Sequence, residues 1–132
     1  MKIHHIGYLV KNIEKAQSQF KYLGYAASGE TLYDDIRKAN ILFMQNGDYV
    51  IELVSPASDS SVVANLIKKH KNMPYHMCYE SSDFDRDLDG LSNNGFTIFG
   101  EPSPAPAIQG RRVAFLISPS AGMIELLEDK CL

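Results

Sequence analysis

Two histidines and two glutamates occupy matching positions in the two halves of this 132-residue chain. His76 follows His5 by 71 residues, and Glu125 follows Glu52 by 73. Imidazole and carboxylate groups can bind a metal ion or accept a proton, so four such groups could support either chemistry. Taken singly, a histidine in a strand or a glutamate between apolar residues is more often a packing or solvent-facing side chain. The duplication favours chemistry, because packing alone gives no reason to repeat both residue types.

The sequence around these four residues repeats as well, which predicts a duplicated fold. The segment at 3–10 returns at 75–80, and the start and end of the following helical pattern are also repeated 71 residues later. The segment 41–43 returns at 113–115, after 72 residues, and the segment 51–53 at 124–126, after 73. Each added residue falls in a predicted loop, so the elements keep their order.

Alternation along the strands places the ionisable side chains on one face. Successive side chains of a strand point to opposite faces, so His5 faces away from Ile6, and His76 faces away from its own neighbours. Glu52 and Glu125 each lie between two apolar residues that must face the other way. We expect helices to cover the apolar face and the ionisable side chains to point inward.

Each half reads as one βαβββ module. Module one comprises residues 3–56. Its predicted elements are a strand from 3 to 10, a helix capped by Asn12 and ended by Gly24, a second strand between 25 and 39 followed by a loop or the start of a short strand, and strands at 41–45 and 49–54. Asn46-Gly47 is typical of the turn between the last two strands.

A linker helix over residues 58–71 is predicted next, with serines of 58–61 as candidate N-caps and a basic end. Module two comprises residues 75–128. Its predicted elements are a strand at 75–81, a helix at 83–94, a strand at 96–99, an irregular proline-rich segment at 102–106, and strands at 112–118 and 122–128. We therefore expect one domain over residues 1–132, an α+β fold whose two modules form one cupped eight-stranded mixed sheet with the helices outside.

Composition excludes several functional classes. A net charge of −3 and a pI near 5.7 provide no basic surface for nucleic acid, and no apolar run approaches the length of a membrane span. The chain enters a strand without an apolar leader, and Cys78 and Cys131 do not suggest a disulfide framework. A cytoplasmic protein without nucleic-acid or membrane partners is expected.

The motifs resemble those of the vicinal oxygen chelate superfamily, which includes glyoxalases, bleomycin-resistance proteins and dioxygenases. The resemblance rests on His-His-Ile-Gly at 4–7, Ile-Glu-Leu-Val-Ser-Pro at 51–56, Tyr-His-Met-Cys-Tyr-Glu at 75–80, Val-Ala-Phe-Leu at 113–116 and Gly-Met-Ile-Glu-Leu at 122–126. Within the superfamily, the chain is most similar to bacterial glyoxalase I and methylmalonyl-CoA epimerase. The order, spacing and duplication of these motifs make the resemblance specific.

The resemblance implies one divalent metal ion bound by His5, Glu52, His76 and Glu125. Nickel, cobalt and zinc all suit a set of imidazole and carboxylate ligands, so the identity of the ion stays open. Four protein ligands leave two positions of an octahedral ion for substrate oxygens, where the ion can stabilise an enediolate as a Lewis acid. Glu52 and Glu125 are then also the candidate catalytic bases, and either could remove the proton alpha to a carbonyl.

Three functions fit this resemblance. The first is a glyoxalase I-like lyase acting on the hemithioacetal of a 2-oxoaldehyde and a thiol, which Glu52 as a ligand favours. The second is a methylmalonyl-CoA epimerase acting on an acyl thioester, which the linker helix favours. The third is a binding protein of the bleomycin-resistance kind, disfavoured because all four ligands are present. A homodimer is also expected, from family likeness more than from individual residues.

The remaining charged and polar candidates receive simpler interpretations. Arg37, Arg111 and Arg112 are expected to be surface charges, although the last two follow Gly110 beside the proline-rich segment, where a carboxylate or thioester tail could approach. His4 and His70 are expected to be ordinary packed or hydrogen-bonded side chains. Cys78 is expected to be a small buried residue, and Tyr8 and Tyr79 to pack beneath the helices.

Overall fold

A computed structural model describes residues 1–130 of the chain. Within that range the fold is mixed α+β, as expected, with nine strands and three α-helices. The described residues divide into two compact units, one of residues 5–75 and the other of residues 1–4 together with 76–130. Among the described residues, no helix has both the length and the apolar character needed to cross a bilayer.

The first seven elements belong to module one and the segment that follows it. They are β1 (Lys2–Leu9), α1 (Ile13–Tyr22), β2 (Ala26–Ala27), β3 (Leu32–Asp34), β4 (Ala39–Asn46), β5 (Tyr49–Pro56) and α2 (Ala64–His70). Module two contains β6 (Met73–Ser81), α3 (Phe84–Ser92), β7 (Thr97–Ala105), a 3-10 turn (Pro106–Ile108), β8 (Arg111–Ser118) and β9 (Gly122–Glu128).

The two modules share one strand topology. In module one, β1 is parallel to β5, β5 is antiparallel to β4, and β4 is antiparallel to β2 and β3. In module two, β6 is parallel to β9, β9 is antiparallel to β8, and β8 is antiparallel to β7. A parallel pair needs a crossover, and here each crossover contains a helix and the remaining strands. The repeat in the sequence is thus a repeat of the fold.

A core lies between the sheet and the helix within each module. In module one, α1 packs on a cluster of buried apolar residues, namely Val10, Ile13, Ala16, Leu42, Met44, Ile51 and Leu53. The matching cluster in module two comprises Phe84, Leu88, Ala114, Leu116, Ile124 and Leu126. Tyr8 and Tyr79 pack against these clusters beneath the helices, as the sequence predicts. The alternation that turns them toward the helix turns the histidines and glutamates to the opposite face.

The structure differs from the local predictions at three places. Between 25 and 39, where a second strand followed by a loop or the start of a short strand is predicted, there are two short strands, β2 and β3, with Gly29 between them at a φ of 100° that favours glycine. This raises the strand count from eight to nine.

The proline-rich segment is also not irregular, because β7 continues through Ala105. Among the described strands, β7 pairs only with β8, and its register shifts between Phe99 and Ser103. Prolines are tolerated in edge strands and at bulges, where the missing N–H breaks no ladder bond.

The linker helix is shorter than predicted and lacks a serine cap. It begins at Ala64, with Val63 in the N-cap position and no side-chain cap. The Ser61 hydroxyl donates instead to the carbonyl oxygen of Arg37 at 2.9 Å. That bond ties the start of the linker to the turn between β3 and β4.

Candidate functional site

In module one, His5 and Glu52 lie side by side on neighbouring parallel strands. His5 is on β1 and Glu52 on β5, and His5 Nε2 is 3.5 Å from Glu52 Oε1. In the strand register, Gly7 of β1 lies opposite Glu52, on the face that also carries His5. Because glycine has no side chain, β1 presents only backbone at this position. Two strands that are adjacent in space but about 47 residues apart in the chain thus bring the pair together.

Phe43 of β4 forms the third side of this pair. It is the register partner of Glu52, and its ring meets the His5 imidazole edge-on, with centroids 5.2 Å apart and planes at 82°. Edge-to-face contacts of this kind orient the rings and add to the stability of the packed site. The imidazole is therefore fixed by packing as well as by its polar neighbour.

Module two repeats this arrangement. His76 Nε2 on β6 is 3.5 Å from Glu125 Oε1 on β9. Phe115 of β8 is the register partner of Glu125 and meets the His76 ring edge-on, at 5.3 Å and 85°. The one difference is opposite the glutamate, where Cys78 replaces the glycine of module one.

All four ionisable residues are buried, with relative exposures of 1% for His5, 5% for Glu52, 3% for His76 and 3% for Glu125. Burying a carboxylate costs free energy unless it is paired or binds a metal. The 3.5 Å separation in each pair exceeds the usual 2.7–3.2 Å of an N–H···O bond. Two donors that bind one ion at about 2.0–2.2 Å lie roughly 2.8–3.6 Å apart, depending on the coordination angle. The residue types and the spacing of both pairs are therefore compatible with ligation of a divalent ion.

The three arginines singled out in the sequence are engaged with carboxylates. Arg37 Nη1 donates to the buried Asp34 at 2.8 Å, and Arg111 forms an ion pair with Glu80. Arg112 donates to Glu128 at 2.8 Å and to Asp85 at 3.1 Å, and its guanidinium lies 4.5 Å from the centre of the Phe84 ring.

These contacts change the acidity of the groups in module two. The hydrogen bond from Arg112 lowers the pKa of the Glu128 carboxyl, and the contacts with Glu128 and Asp85 raise the pKa of Arg112. A bond of 2.6 Å from the Ser81 hydroxyl lowers the pKa of Asp87.

The sequence reasoning missed the acidic partners in this network and the role of Phe43 and Phe115. The partners of Arg111 and Arg112 are distant in the chain, so no local pattern could reveal them, whereas Asp34 is only three residues from Arg37. The phenylalanines left a signal, because they occupy equivalent positions in the repeated segments 41–43 and 113–115. Of the other candidates, Cys78 is fully buried as expected, His4 is half-buried, His70 is exposed, and Cys131 lies outside the described residues.

Comparison with known proteins gives a consistent result. The family model described as the Glyoxalase/Bleomycin resistance protein/Dioxygenase superfamily matches residues 4–115. A protein of Cereibacter sphaeroides named ethylmalonyl-CoA/methylmalonyl-CoA epimerase is 25% identical over 116 residues, covering 87% of both chains. A hypothetical protein of Bacillus halodurans has a solved structure that matches with a TM-score of 0.88 and 26% identity, over 99% of this chain and 96% of that one.

A solved methylmalonyl-CoA epimerase from Mycobacterium tuberculosis shares the fold, with a TM-score of 0.84 and 21% identity. The alignment covers 98% of this chain and 88% of the mycobacterial chain. At this level of identity the likeness concerns the arrangement of strands and helices.

Proposed function

Because the chain belongs to the glyoxalase/bleomycin resistance protein/dioxygenase superfamily, we propose that it is a metal-dependent acyl-CoA epimerase, which inverts the carbon alpha to a thioester carbonyl. The observation that carries this proposal is the repeated His–Glu pair, present with the same 3.5 Å separation in both modules. Thioester chemistry is supported by the Cereibacter sphaeroides relative, whose name is that of an epimerase. The glyoxalase I-like lyase favoured by the sequence receives no such support, so the order of the two alternatives is reversed.

We take both pairs to bind a single divalent ion. His5, Glu52, His76 and Glu125 are all candidate metal-binding groups, and two imidazoles with two carboxylates suit nickel, cobalt or zinc. When bound, such an ion would act as a Lewis acid toward the negative charge that develops on the thioester oxygen. Binding through these four ligands would leave positions on the ion free for the substrate. The two positive charges of the ion would also balance the negative charges of the two buried glutamates.

The glutamates are also the candidate proton carriers. Epimerisation removes the alpha proton from one face of the carbon and returns a proton to the other face, with no change in composition. One carboxylate in each module suits a reaction with two faces, since each could exchange a proton with its own side. Each carboxylate is buried and has a phenylalanine as its register partner, so the proton transfer takes place in a largely apolar surrounding.

The test is alpha-proton exchange in deuterium oxide. Protein depleted of metal and reloaded with cobalt, nickel or zinc is incubated with methylmalonyl-CoA, and deuterium at the alpha carbon is followed together with inversion. We expect both with at least one of these ions and neither after chelation. The hemithioacetal of methylglyoxal and glutathione should not be converted. Turnover of the hemithioacetal without exchange in the thioester would contradict the proposal.

A homodimer, a cytoplasmic location, and a single domain with one cupped sheet, all expected from the sequence, stay predictions. The acyl-CoA substrate belongs to the same proposal.

A further inference from the structure

Module two carries four large apolar residues next to its His–Glu pair, which we call the apolar strip. The strip consists of Phe99 on β7, Phe115 and Ile117 on β8, and Met123 on β9. Phe99 is 65% exposed and Ile117 43%, while Phe115 and Met123 are half-buried. Single exposed apolar residues are ordinary on protein surfaces, but a connected group beside buried ionisable residues is typical of a ligand site.

The strand register places the strip on the same face as the His–Glu pair. Phe115 faces that side because its ring contacts His76 and its register partner is Glu125. Residues directly opposite in antiparallel strands share a face, so Phe99, the register partner of Phe115, points the same way. Ile117 is two residues further along β8 and therefore lies on this face too.

Module one has no such strip at the equivalent positions. Gln45 replaces Ile117, and Val50 replaces Met123, its register partner. Ser28 replaces Phe99, because its backbone N–H donates to the carbonyl oxygen of Phe43 at 2.8 Å, and Phe43 is the equivalent of Phe115. Since the fold repeats but the strip does not, the strip is no requirement of the fold.

The chemistry of the strip selects its ligand. β7 contains no lysine or arginine, and Glu101 follows two residues after Phe99, so phosphate groups would be repelled. The side chains of the strip itself offer no N–H or O–H donor for amide oxygens. An aliphatic chain suits such a surface, since each buried methylene improves binding by about fourfold.

We propose that the apolar strip binds the alkyl substituent on the alpha carbon of an acyl thioester, and that the protein therefore prefers a chain longer than a methyl group. This inference rests on the proposed function, because the reacting carbon must lie at the His–Glu pair. It identifies Phe99 and Ile117 as residues that determine substrate specificity, acting through contact with the chain and not through the reaction itself.

The experiment uses two variants that copy module one, Phe99→Ser and Ile117→Gln. Ile98→Ser is the matched control, because Ile98 is the register partner of Leu116 and so faces the helix side of the same strand. Dissociation constants are measured by calorimetry for butyryl-CoA, acetyl-CoA and free CoA. The ratio of kcat/KM for ethylmalonyl-CoA over methylmalonyl-CoA is measured on the metal-loaded protein.

The unmodified protein is expected to bind butyryl-CoA about fifteenfold more tightly than acetyl-CoA, since butyryl has two additional methylenes. Phe99→Ser and Ile117→Gln should each reduce this preference by roughly threefold or more and leave the affinity for free CoA unchanged. Ile98→Ser should keep the preference. Both strip residues are exposed, so the variants are expected to fold, which circular dichroism checks.

An unchanged preference in both strip variants, or no binding of butyryl-CoA by the unmodified protein, would overturn the proposal. A shift from dimer to monomer in sedimentation, with the preference intact, would make the strip an interface between copies and would also overturn it. The outcome for the proposed function is separate. If the binding preference depends on Phe99 but no alpha proton is exchanged, the proposal for the apolar strip is supported and the proposed epimerase function is wrong.

Discussion

The two modules place the same side chains in the same geometry but hold their strands and helices together differently. Positions that are apolar or uncharged in module one are polar or charged in module two. Three pairs of positions show this. Val10 and Ala16 of module one correspond to Ser81 and Asp87 of module two, and Leu9 and Ala39 correspond to Glu80 and Arg111. Asn40 and Ser55 correspond to Arg112 and Glu128. In module one the first two pairs are fully buried apolar residues, whereas in module two all three are joined by hydrogen bonds or ion pairs.

This difference shows that the site depends on strand register more than on the composition of the surroundings. Alternation and pairing set where the histidine, glutamate and phenylalanine of each module point, and both kinds of packing preserve that register. Apolar burial is insensitive to pH, while paired carboxylates are not. The modules should therefore respond differently to mutation and to acid.

The largest expected effect would separate the roles of the two glutamates. Glu125→Gln should lower alpha-proton exchange by about 10²–10⁴-fold, because an amide keeps an oxygen ligand but accepts no proton. Both glutamates have a phenylalanine as register partner, and we assign the base to Glu125 because Cys78 lies opposite it where Gly7 lies opposite Glu52. Glu52→Gln should retain part of the exchange. Deuterium uptake measured together with metal content distinguishes the two, and full exchange by Glu125→Gln would assign the proton to another group.

The next effect tests whether the two cores are equivalent. Leu53 and Leu126 occupy matching positions and are both fully buried. Replacement of either by alanine is expected to lower the free energy of unfolding by about 2–5 kcal/mol through lost burial and a cavity. Urea denaturation followed by circular dichroism measures this. A small loss at one position and a large loss at the other would break the comparison between the cores.

A smaller effect is expected at the polar contact in module two. Asp87→Ala leaves the buried hydroxyl of Ser81 without its 2.6 Å partner, which should cost about 1–3 kcal/mol. The double variant Ser81→Val with Asp87→Ala copies Val10 and Ala16 of module one and should recover part of that loss, reduced by the 3.1 Å bond that the Asp83 N–H donates to the Ser81 hydroxyl oxygen. Urea midpoints of the single and double variants decide this. If the double variant loses more stability than the two single variants lose together, the apolar packing of Val10 and Ala16 cannot be transferred to module two.

Acid should weaken module two more than module one. The pKa values of Asp87 and Glu128 are lowered in the folded protein, by hydrogen bonds from Ser81 and Arg112. A carboxyl with a lowered pKa stabilises the fold above its unfolded pKa, and this contribution is lost as the pH falls below about 4. Asp87→Asn and Glu128→Gln should therefore reduce the difference in thermal midpoint between pH 7 and pH 3.5. An unchanged difference would show that other groups dominate acid unfolding.

The smallest effect concerns the helix starts. Asn12 accepts a hydrogen bond from the Lys15 N–H at 2.9 Å, and Asp83 accepts one from the Arg86 N–H at 3.4 Å. Each alanine variant should lose about 0.5–2 kcal/mol of stability, with the larger loss at Asn12 because its bond is shorter. Thermal melting of the two variants compares them directly. A larger loss at Asp83 would indicate that its charge at the start of α3 matters more than the bond length.

The sequence predicted the elements wherever short-range patterns determine them. The cap at Asn12, the alternation around Glu52 and Glu125, and the repeat itself can be read from neighbouring residues. The ion pairs of module two could not be predicted this way, because Glu80 and Arg111 are 31 residues apart and meet only after the strands pair. The strand through 102–105 was missed for a related reason. Proline excludes a central strand, but only the completed sheet reveals which strand is at an edge.

The prolines of β7 also affect how copies of the chain can meet. Pro102 and Pro104 have no N–H group, so this long strand has two fewer backbone donors than its length would otherwise provide. An exposed strand edge otherwise invites pairing with another chain and, at high concentration, fibril growth. The glycine and register shift ahead of these prolines further spoil the flat edge that such stacking requires. An added strand at β7 would therefore find fewer donors and an irregular edge, which disfavours edge-to-edge pairing at this strand.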